Sequence, residues 1–318
     1  MSGERGLGAV AAWLWAWAAV ICWGVMFPVG DLLMKEGAMP PASVGAARYL
    51  LASPAFLAAG FAICGHAMWP RKVLDWLALA LFGLVGSAAM ALLLFRAQEL
   101  VPSVNASLME AYVPIQVLVL AMLGGAPTTG RHVASVVLGF AGCLLVLRAL
   151  DGTGLRLAAL SRGDLYAFLS AFCWAIYTAW SRPFVKRLGS LPFTGWTVLF
   201  GGLWLVAWQV ASGAGVAVPR TGLEWRCVLF LAVFPTGVAF FGWNAAQKGL
   251  SLARLSFLEY FPPLVAAVAG VLFFGERITA WQWLGIAVVI LSQRLLPRDE
   301  VAMSDGLAEN PNESAKMR

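Results

Sequence analysis

Charge is scarce in this chain, and it is absent over long stretches. Only 12% of the 318 residues are Asp, Glu, Lys or Arg, against 61% that are hydrophobic. Soluble domains carry about 25% charged residues, so this composition excludes a soluble protein. The runs without a charged residue are 6–30, 49–70, 76–95, 111–130, 165–181, 188–219, 227–247 and 260–275. Most match the ~20 apolar residues that a helix needs to cross a bilayer.

Residues that hold metals or cofactors are also few. There are two histidines, distant in the sequence, and five cysteines without CxxC or Cys/His ligand spacing. No GxxxxGK[ST] phosphate-binding loop occurs. We therefore predict no metal, no cofactor, no ATP hydrolysis and no enzymatic activity, because membrane enzymes cluster His, Asp and Glu near the interface. The net charge of +6 needs no nucleic-acid partner, since basic cytoplasmic loops account for it.

The apolar runs, with two shorter ones, predict ten membrane-spanning helices. They lie at 8–30, 42–64, 73–95, 100–122, 132–150, 164–183, 192–213, 226–247, 253–274 and 277–296. Placing both termini in the cytoplasm puts most loop Lys and Arg residues there, as the positive-inside rule requires. We predict a multi-pass, lipid-embedded protein of a bacterial inner (plasma) membrane, with a short polar cytoplasmic tail at 298–318.

Two landmarks recur in the second half of the chain. Span one contains Cys22-Trp23, and span six contains Cys173-Trp174. Span four, at 107–114, and span nine, at 256–263, share a Ser, a Glu and a Pro in register. The two spacings, 151 and 149 residues, differ by no more than a loop insertion would produce. The chain is therefore predicted to contain an internal repeat.

Five spans per repeat is an odd number, so the second copy must cross the membrane in the opposite orientation. We predict an all-α membrane protein of two inverted five-helix repeats, residues 8–150 and 163–296. Such repeats place the substrate near the membrane midplane and suit alternating access. The cavity is expected between spans one, four, six, eight and nine.

Short segments spread over nearly the whole chain carry a further pattern. They are Trp23-Gly24-Val25-Met26-Phe27, Ala46-Ala47-Arg48-Tyr49-Leu50-Leu51, Gly163-Asp164-Leu165-Tyr166-Ala167, Cys173-Trp174-Ala175-Ile176-Tyr177 and Gly275-Glu276-Arg277-Ile278-Thr279. Together they resemble the drug/metabolite transporter superfamily, EamA type. The resemblance implies ten helices, cytoplasmic termini and export of small metabolites. The segments 237–239, 243–244 and 260–263 are similar to the aromatic amino acid exporter branch.

Glu110 and Glu259 each lie inside an apolar span and are not part of that family pattern. A charged side chain in hydrocarbon costs about 2.5–3.5 kcal/mol on insertion scales, so both are expected to face a cavity or the bundle interior. As repeat-related residues they should lie close together, and two adjacent carboxylates do not readily ionise together. We predict that they couple protons or bind a substrate amine. The alternative is a structural pair of protonated, hydrogen-bonded carboxyls.

Aromatic and amide side chains on the same spans complete the predicted site: Trp23, Phe27, Tyr112, Trp174, Tyr177, Trp243, Asn244 and Tyr260. Aromatic faces suit apolar, aromatic or cationic ligands, although each ring alone is more often a packing residue. Pro114, Pro262 and Pro263 interrupt backbone hydrogen bonding within their spans, which predicts hinges or static kinks. Arg48 is predicted to be structural, either paired with Asp31 or reaching to the interface.

These features predict a secondary active transporter that exports small metabolites such as amino acids by alternating access, with proton coupling through Glu110 and Glu259. Its partners would be a small-molecule substrate, lipid and protons. Proton-coupled efflux of cationic or aromatic drugs is the alternative within transport, which paired glutamates and many tryptophans suit. An integral-membrane enzyme or a scaffold is the remaining alternative, but a scaffold would not need two repeat-related acids in its spans.

Overall fold

Helices make up nearly all of the chain that the structure, a computed structural model, describes. The described residues are 2–35, 39–101, 103–126, 128–146, 150–151, 154–155, 161–265, 268 and 279–295. The strands among them are two residues long, β1 (Leu150–Asp151) and β2 (Gly154–Leu155), and they pair antiparallel. The all-α prediction is confirmed. The predicted tail at 298–318 lies outside the described residues.

The helices follow the predicted spans, with several interruptions. In chain order they are α1 (Ser2–Lys35), α2 (Pro41–Cys64), α3 (Val73–Phe82), α4 (Met90–Leu100), α5 (Ser103–Glu110), α6 (Val113–Leu123), α7 (Gly130–Val146), α8 (Arg162–Trp180), α9 (Arg182–Leu188), α10 (Ser190–Ala211), α11 (Gly222–Leu231), α12 (Ala239–Ala246), α13 (Leu252–Leu258), α14 (261–265) and α15 (Ala280–Ser292). Capping boxes begin α8, α11 and α15, where a Ser or Thr and the third helical residue exchange hydrogen bonds.

Among the described residues, five helical stretches are long and apolar enough to cross a membrane. They are Gly8–Met34, Pro41–Met68, Val73–Leu100, Ser190–Ala211 and Gly222–Ala246. Two shorter apolar helices, Val113–Leu123 and Gly130–Leu145, accompany them. Their outward faces carry many exposed apolar side chains, such as Leu14, Leu77 and Trp208. The membrane prediction is therefore supported by length and composition, while the number ten stays a prediction.

The third span extends further than the sequence predicts, to Leu100 instead of 95. The added turn contains Arg96 and Glu99, which form an ion pair three residues apart with an N–O distance of 2.8 Å. Such pairs let a helix continue beyond its apolar segment into a polar surrounding. The end of the charge-free run therefore marks the end of the apolar face, and the helix continues past it.

Spans four and nine are each broken at their glutamate. α5 ends at Glu110 and α6 begins at Val113, while α13 ends at Leu258 and Glu259 lies in the following turn. Pro114 and Pro263 each stand four residues after a glutamate. Because proline has no N–H, neither glutamate carbonyl can receive its usual helical hydrogen bond. The prolines thus explain why both spans are interrupted, at the places where the sequence predicts a loss of helical hydrogen bonds.

Two π-helical segments lie inside the third and eighth spans, at Gly83–Ala89 and Ala232–Val238. In a π turn the hydrogen bond reaches five residues along the chain, one more than in an α-helix, and such turns often mark functional sites. Each residue of the first segment lies 149 positions before its counterpart in the second, which is also the spacing between Glu110 and Glu259. Neither π segment is among the features predicted from the sequence.

Among the described residues, four helix pairs make the most extensive contacts. α2 packs along α10, α7 along α15, α4 against α8, and α1 against α12. In the numbering of the predicted spans, span two packs on span seven, span five on span ten, span three on span six, and span one on span eight. Exchanging each span for the one five places away leaves this set of pairs unchanged. The helix packing therefore has the pattern that a twofold arrangement of two five-span units would produce.

Candidate functional site

A cavity of about 40 Å³ lies where the two interrupted spans meet α1, α4 and α8. It has room for a few water molecules. Its walls are formed by Trp23, Met26, Phe27, Met90, Leu94, Glu110, Trp174, Glu259 and Pro262. The structure thus brings Trp23, Phe27, Glu110, Trp174, Glu259 and Pro262 of the predicted site residues to one cavity. Among the described residues, span three contributes to this wall through α4, and no residue of span eight is part of it.

Glu259 is held firmly on one side of this cavity. Its side chain is 5% exposed, and its carboxyl Oε1 accepts a hydrogen bond of 2.6 Å from the indole Nε1 of Trp174. Its backbone N–H donates to the carbonyl of Ser256 at 3.1 Å, which closes the turn after α13. A carboxyl group that receives such a bond keeps a fixed orientation.

Glu110 reaches the same cavity from the end of α5, but one of its oxygens is unpaired. Oε1 is buried and has no hydrogen-bond partner among the described residues. The carboxyl group also contacts Ser170, whose hydroxyl donates to the carbonyl of Met90 at 3.0 Å. Glu110 lies close enough to Glu259 for the two carboxyls to interact electrostatically. Leaving a buried acceptor unpaired costs about 1–3 kcal/mol, so this oxygen is suited to a ligand, a proton or a moving donor.

Five rings close one end of the cavity, and we call them the aromatic cluster: Trp23, Trp174, Tyr177, Phe240 and Trp243. The ring centres of Trp23 and Trp174 are 5.0 Å apart, and Tyr177 stacks on Trp174 at 5.0 Å with 14° between the planes. Trp243 contacts Trp23 at 5.2 Å. Within this cluster Trp23 and Trp174 line the cavity, while Tyr177 and Trp243 are fully buried behind them.

Tyr177 and Asn244 belong to a polar network behind the aromatic cluster. The Asn244 amide donates to the hydroxyl of Tyr177 at 2.8 Å and to that of Thr194 at 2.9 Å, and Gln247 donates to Asn244 at 3.1 Å. These residues join α8, α10 and α12 and are at most 1% exposed. The structure therefore places Tyr177 and Asn244 in a helix junction, apart from the cavity wall.

Tyr112 and Tyr260 contact α7 instead of the cavity. The Tyr260 hydroxyl donates to the carbonyl of Val136 at 2.6 Å, and the Tyr112 ring lies 4.6 Å from that of Phe140. Gly139 leaves room for this packing, since a Cβ there would lie 2.4 Å from the Tyr260 ring. Each tyrosine thus fixes an interrupted span against a neighbouring helix.

Sequence reasoning missed three apolar wall residues, Met26, Met90 and Leu94. Nothing distinguishes them from other apolar residues in their spans, so the sequence holds no signal that could have found them.

Arg48, 1% exposed, does not reach the interface. Its guanidinium donates to the Tyr49 hydroxyl at 2.7 Å and rests on Met26 Sδ at 3.1 Å.

The Asp31 side chain, the partner predicted for Arg48, lies outside the described residues. Within the part of the chain that the structure describes, no group of three His, Cys, Asp or Glu residues could hold a metal ion.

Comparison with known proteins places this geometry in a family context. The profile of the EamA-like transporter family matches the chain at residues 10–148 and again at 161–296. One solved structure aligns with a TM-score of 0.73 at 21% sequence identity, covering 95% of this chain and 99% of that one. At this identity the match demonstrates a shared fold and nothing more.

Several curated relatives are similar over most of their length. An uncharacterized inner membrane transporter, YicL, of Salmonella typhimurium is 24% identical, with 88% of this chain and 93% of the relative covered. The aromatic amino acid exporter YddG of Ancylobacter novellus is 25% identical, with 81% and 87% covered. An uncharacterized transporter, YyaM, of Bacillus subtilis is 25% identical, with 70% and 72% covered.

Proposed function

Because this chain belongs to the EamA-like transporter family and is therefore a membrane transporter, we propose that it exports a small metabolite such as an amino acid by alternating access, with Glu110 and Glu259 in its substrate or coupling site. The observation that carries this proposal is the cavity within the helix bundle. Both glutamates line it, and one glutamate oxygen there is unpaired. Acids in membrane spans generally serve a substrate or ion pathway.

The proposed architecture is ten helices in two inverted repeats. Three independent features support it: the helix pairs that survive exchange of the two halves, the π segments spaced by 149 residues, and the two separate family matches, at 10–148 and 161–296. In an inverted repeat the two halves exchange conformations when the transporter changes the side to which it opens.

The substrate proposed is a small molecule with a positively charged amine and an apolar or aromatic part. The amine would bind the glutamates, and the indole rings of Trp23 and Trp174 would contact the remainder. The similarity to the aromatic amino acid exporter of Ancylobacter novellus supports this class. Efflux of cationic or aromatic drugs is the second candidate, because the same wall of carboxyls and indole rings suits such cations.

Energy would come from protons. Two neighbouring carboxyls in a cavity of low polarity favour sharing a proton over carrying two charges. A proton arriving from outside would then displace the substrate amine from the glutamates, which couples proton entry to substrate export.

We propose the bacterial plasma membrane as the site of action, supported by the inner membrane location named for a relative.

The test replaces each glutamate by glutamine, which keeps the shape and removes the acid. Cells that overproduce the chain are compared with Glu110→Gln, Glu259→Gln and double-variant cells for amino acids and amines in the medium. Wild-type cells should release at least one such compound, and each variant should lose about ten-fold or more of that export, since a charged contact contributes about 1.5–3 kcal/mol.

Glu99→Gln is the matched control, because Glu99 lies at a helix end and pairs with Arg96 away from the cavity. It should export at the wild-type rate. Everted vesicles then test coupling: wild-type uptake should need an imposed proton gradient and the glutamine variants should not respond to it. Wild-type export by both single variants with unchanged pH dependence would contradict the proposal.

A further inference from the structure

Trp23 and Trp174, the two repeat-related tryptophans of the cavity, use their indole N–H groups differently. Trp174 Nε1 donates to the carboxyl of Glu259 at 2.6 Å. Trp23 Nε1 donates instead to the backbone carbonyl of Pro235, at 3.1 Å, within the second π segment. Both rings line the cavity and touch each other. The two repeat-related indoles therefore donate to different kinds of acceptor, a carboxyl for Trp174 and a backbone carbonyl for Trp23.

Each partner has a counterpart in the other half of the chain. Glu259 corresponds to Glu110 and Pro235 corresponds to Gly86, both by the spacing of 149 residues. The Glu110 Oε1 atom is the buried carboxyl oxygen without a hydrogen bond. Gly86 lies within the first π segment and directly against Tyr177, the ring that stacks on Trp174. Trp23 thus shares the cavity with Glu110, and Gly86 contacts the ring that stacks on Trp174.

We propose that Trp23 and Trp174 are positioning residues that hold the two glutamates in turn. In the state described here Trp174 orients Glu259 and leaves Glu110 free to bind. In the state that opens to the other side of the membrane, Trp23 donates to Glu110 and Trp174 donates to the carbonyl of Gly86. This inference rests on the proposed alternating access, and it assigns the substrate amine or proton to the glutamate that lacks an indole donor.

The indole N–H makes the two arrangements exclusive. An indole has one donor and no acceptor, so it can satisfy a carbonyl or a carboxyl but not both. In each state one indole donates to a carboxyl and the other donates to a backbone carbonyl. The number of indole hydrogen bonds is therefore the same in both states. Two states with equal bonding are close in energy, which a transporter needs if it is to populate both. The accepting carbonyls, those of Gly86 and Pro235, both lie in π segments.

The test removes each N–H while keeping a ring, by Trp174→Phe and Trp23→Phe. Met90, in the cavity wall, and its counterpart Ala239, now fully buried, report the two states when each is replaced by cysteine in a full-length chain otherwise free of cysteine. A small methanethiosulfonate reagent labels the cysteine in membranes. Because Met90 lines the cavity and Ala239 does not, Met90→Cys should react faster than Ala239→Cys in the described state, and Ala239→Cys faster in the opposite one.

The two variants should shift the labelling ratio in opposite directions. Trp174→Phe loses a carboxyl bond in the described state and a weaker carbonyl bond in the other. Labelling at position 90 relative to 239 should therefore fall about five-fold, and Trp23→Phe should raise it about five-fold. Trp17→Phe is the control, because Trp17 packs on Phe261 and its indole makes no hydrogen bond among the described residues. It should leave the ratio unchanged.

A shift of both variants in the same direction, or no shift, would overturn the inference. If one variant fails to fold, the direction of the other decides alone. The labelling ratio needs no substrate, so it separates this inference from the proposed function: normal export by the glutamine variants refutes the coupling role, while an unchanged ratio refutes only the alternation of the indoles.

Discussion

Glu110 and Glu259 occupy equivalent places in the sequence, yet one carboxyl is bonded by an indole and the other has an unpaired oxygen. Their importance can be predicted from the sequence, because an acid inside a long apolar run is costly and needs a reason. Their unequal hydrogen bonding cannot, since it depends on the distance between each indole and each carboxyl. Helix packing determines that distance.

The aromatic residues illustrate a second limit at this scale. Trp23 and Trp174 line the cavity, whereas Tyr177 and Trp243 are buried behind them. In a soluble helix the polar face would reveal which side points inward. These spans are apolar all round, so periodicity does not distinguish a ring that faces a cavity from one that packs between helices.

Removing the Tyr177 hydroxyl should weaken the helix junction and leave substrate affinity unchanged. Tyr177→Phe deprives Asn244 of one buried partner, and hydrogen bonds between membrane helices contribute about 0.6–1.7 kcal/mol. We expect a lower melting temperature in detergent with an unaltered KM for the exported compound. Tyr112→Phe is the control, because the Tyr112 hydroxyl makes no hydrogen bond among the described residues. Equal melting temperatures for the two variants would contradict the structural assignment.

At the scale of elements, the helix breaks could be predicted and the π segments could not. The interruptions of spans four and nine are predicted by Pro114, Pro262 and Pro263, because proline lacks the N–H that a helix needs. The hinge role predicted for these prolines stays a prediction. The π segments share no comparable signal: Ala232–Val238 contains Pro235, but Gly83–Ala89 contains no proline and no charge. An extra residue in a turn becomes visible only through the backbone.

A methyl group added to the first π segment should destabilise the protein. At Gly83 a Cβ would lie 2.8 Å from the carbonyl oxygen of Thr197 and 3.1 Å from the amide of Gly201, both backbone atoms of α10 that cannot turn away. Gly83→Ala should therefore cost about 1–3 kcal/mol of folding stability, seen as a lower melting temperature.

The matched variant is Gly222→Ala at the start of α11, where nothing lies within 4 Å of the added methyl. It should melt at or slightly above the wild-type temperature, because alanine reduces the entropy of the unfolded chain. If Gly83→Ala melts with the wild type, the close backbone contact between the π segment and α10 is refuted.

For the whole molecule, composition was enough to predict a helical membrane protein, and the EamA resemblance is confirmed. Five stretches meet the requirements of a membrane span among the described residues. The contact between spans three and six was beyond sequence reasoning, because loop lengths do not determine which helices pack. The inverted repeat stays a prediction, and it has a direct consequence for topology.

Two equivalent turns should lie on opposite sides of the membrane. Gly65–Met68 follows span two, and the turn around Gly213 follows span seven. Single cysteines at the exposed residues Ala67 and Ala214, in a chain otherwise free of cysteine, should react with an impermeant maleimide from opposite faces. With cytoplasmic termini, intact cells should label position 214 and everted vesicles position 67. Labelling of both from one face would rule out five spans between them.

The paired π segments carry information about the history of the chain. A π turn holds one residue more than the α-helical turn it replaces, so each records an insertion. Independent insertions would rarely fall at the same place in two halves of one chain. If the predicted repeat arose by duplication of a half-length chain, that chain already carried the insertion, and both halves have kept this backbone irregularity while their sequences diverged.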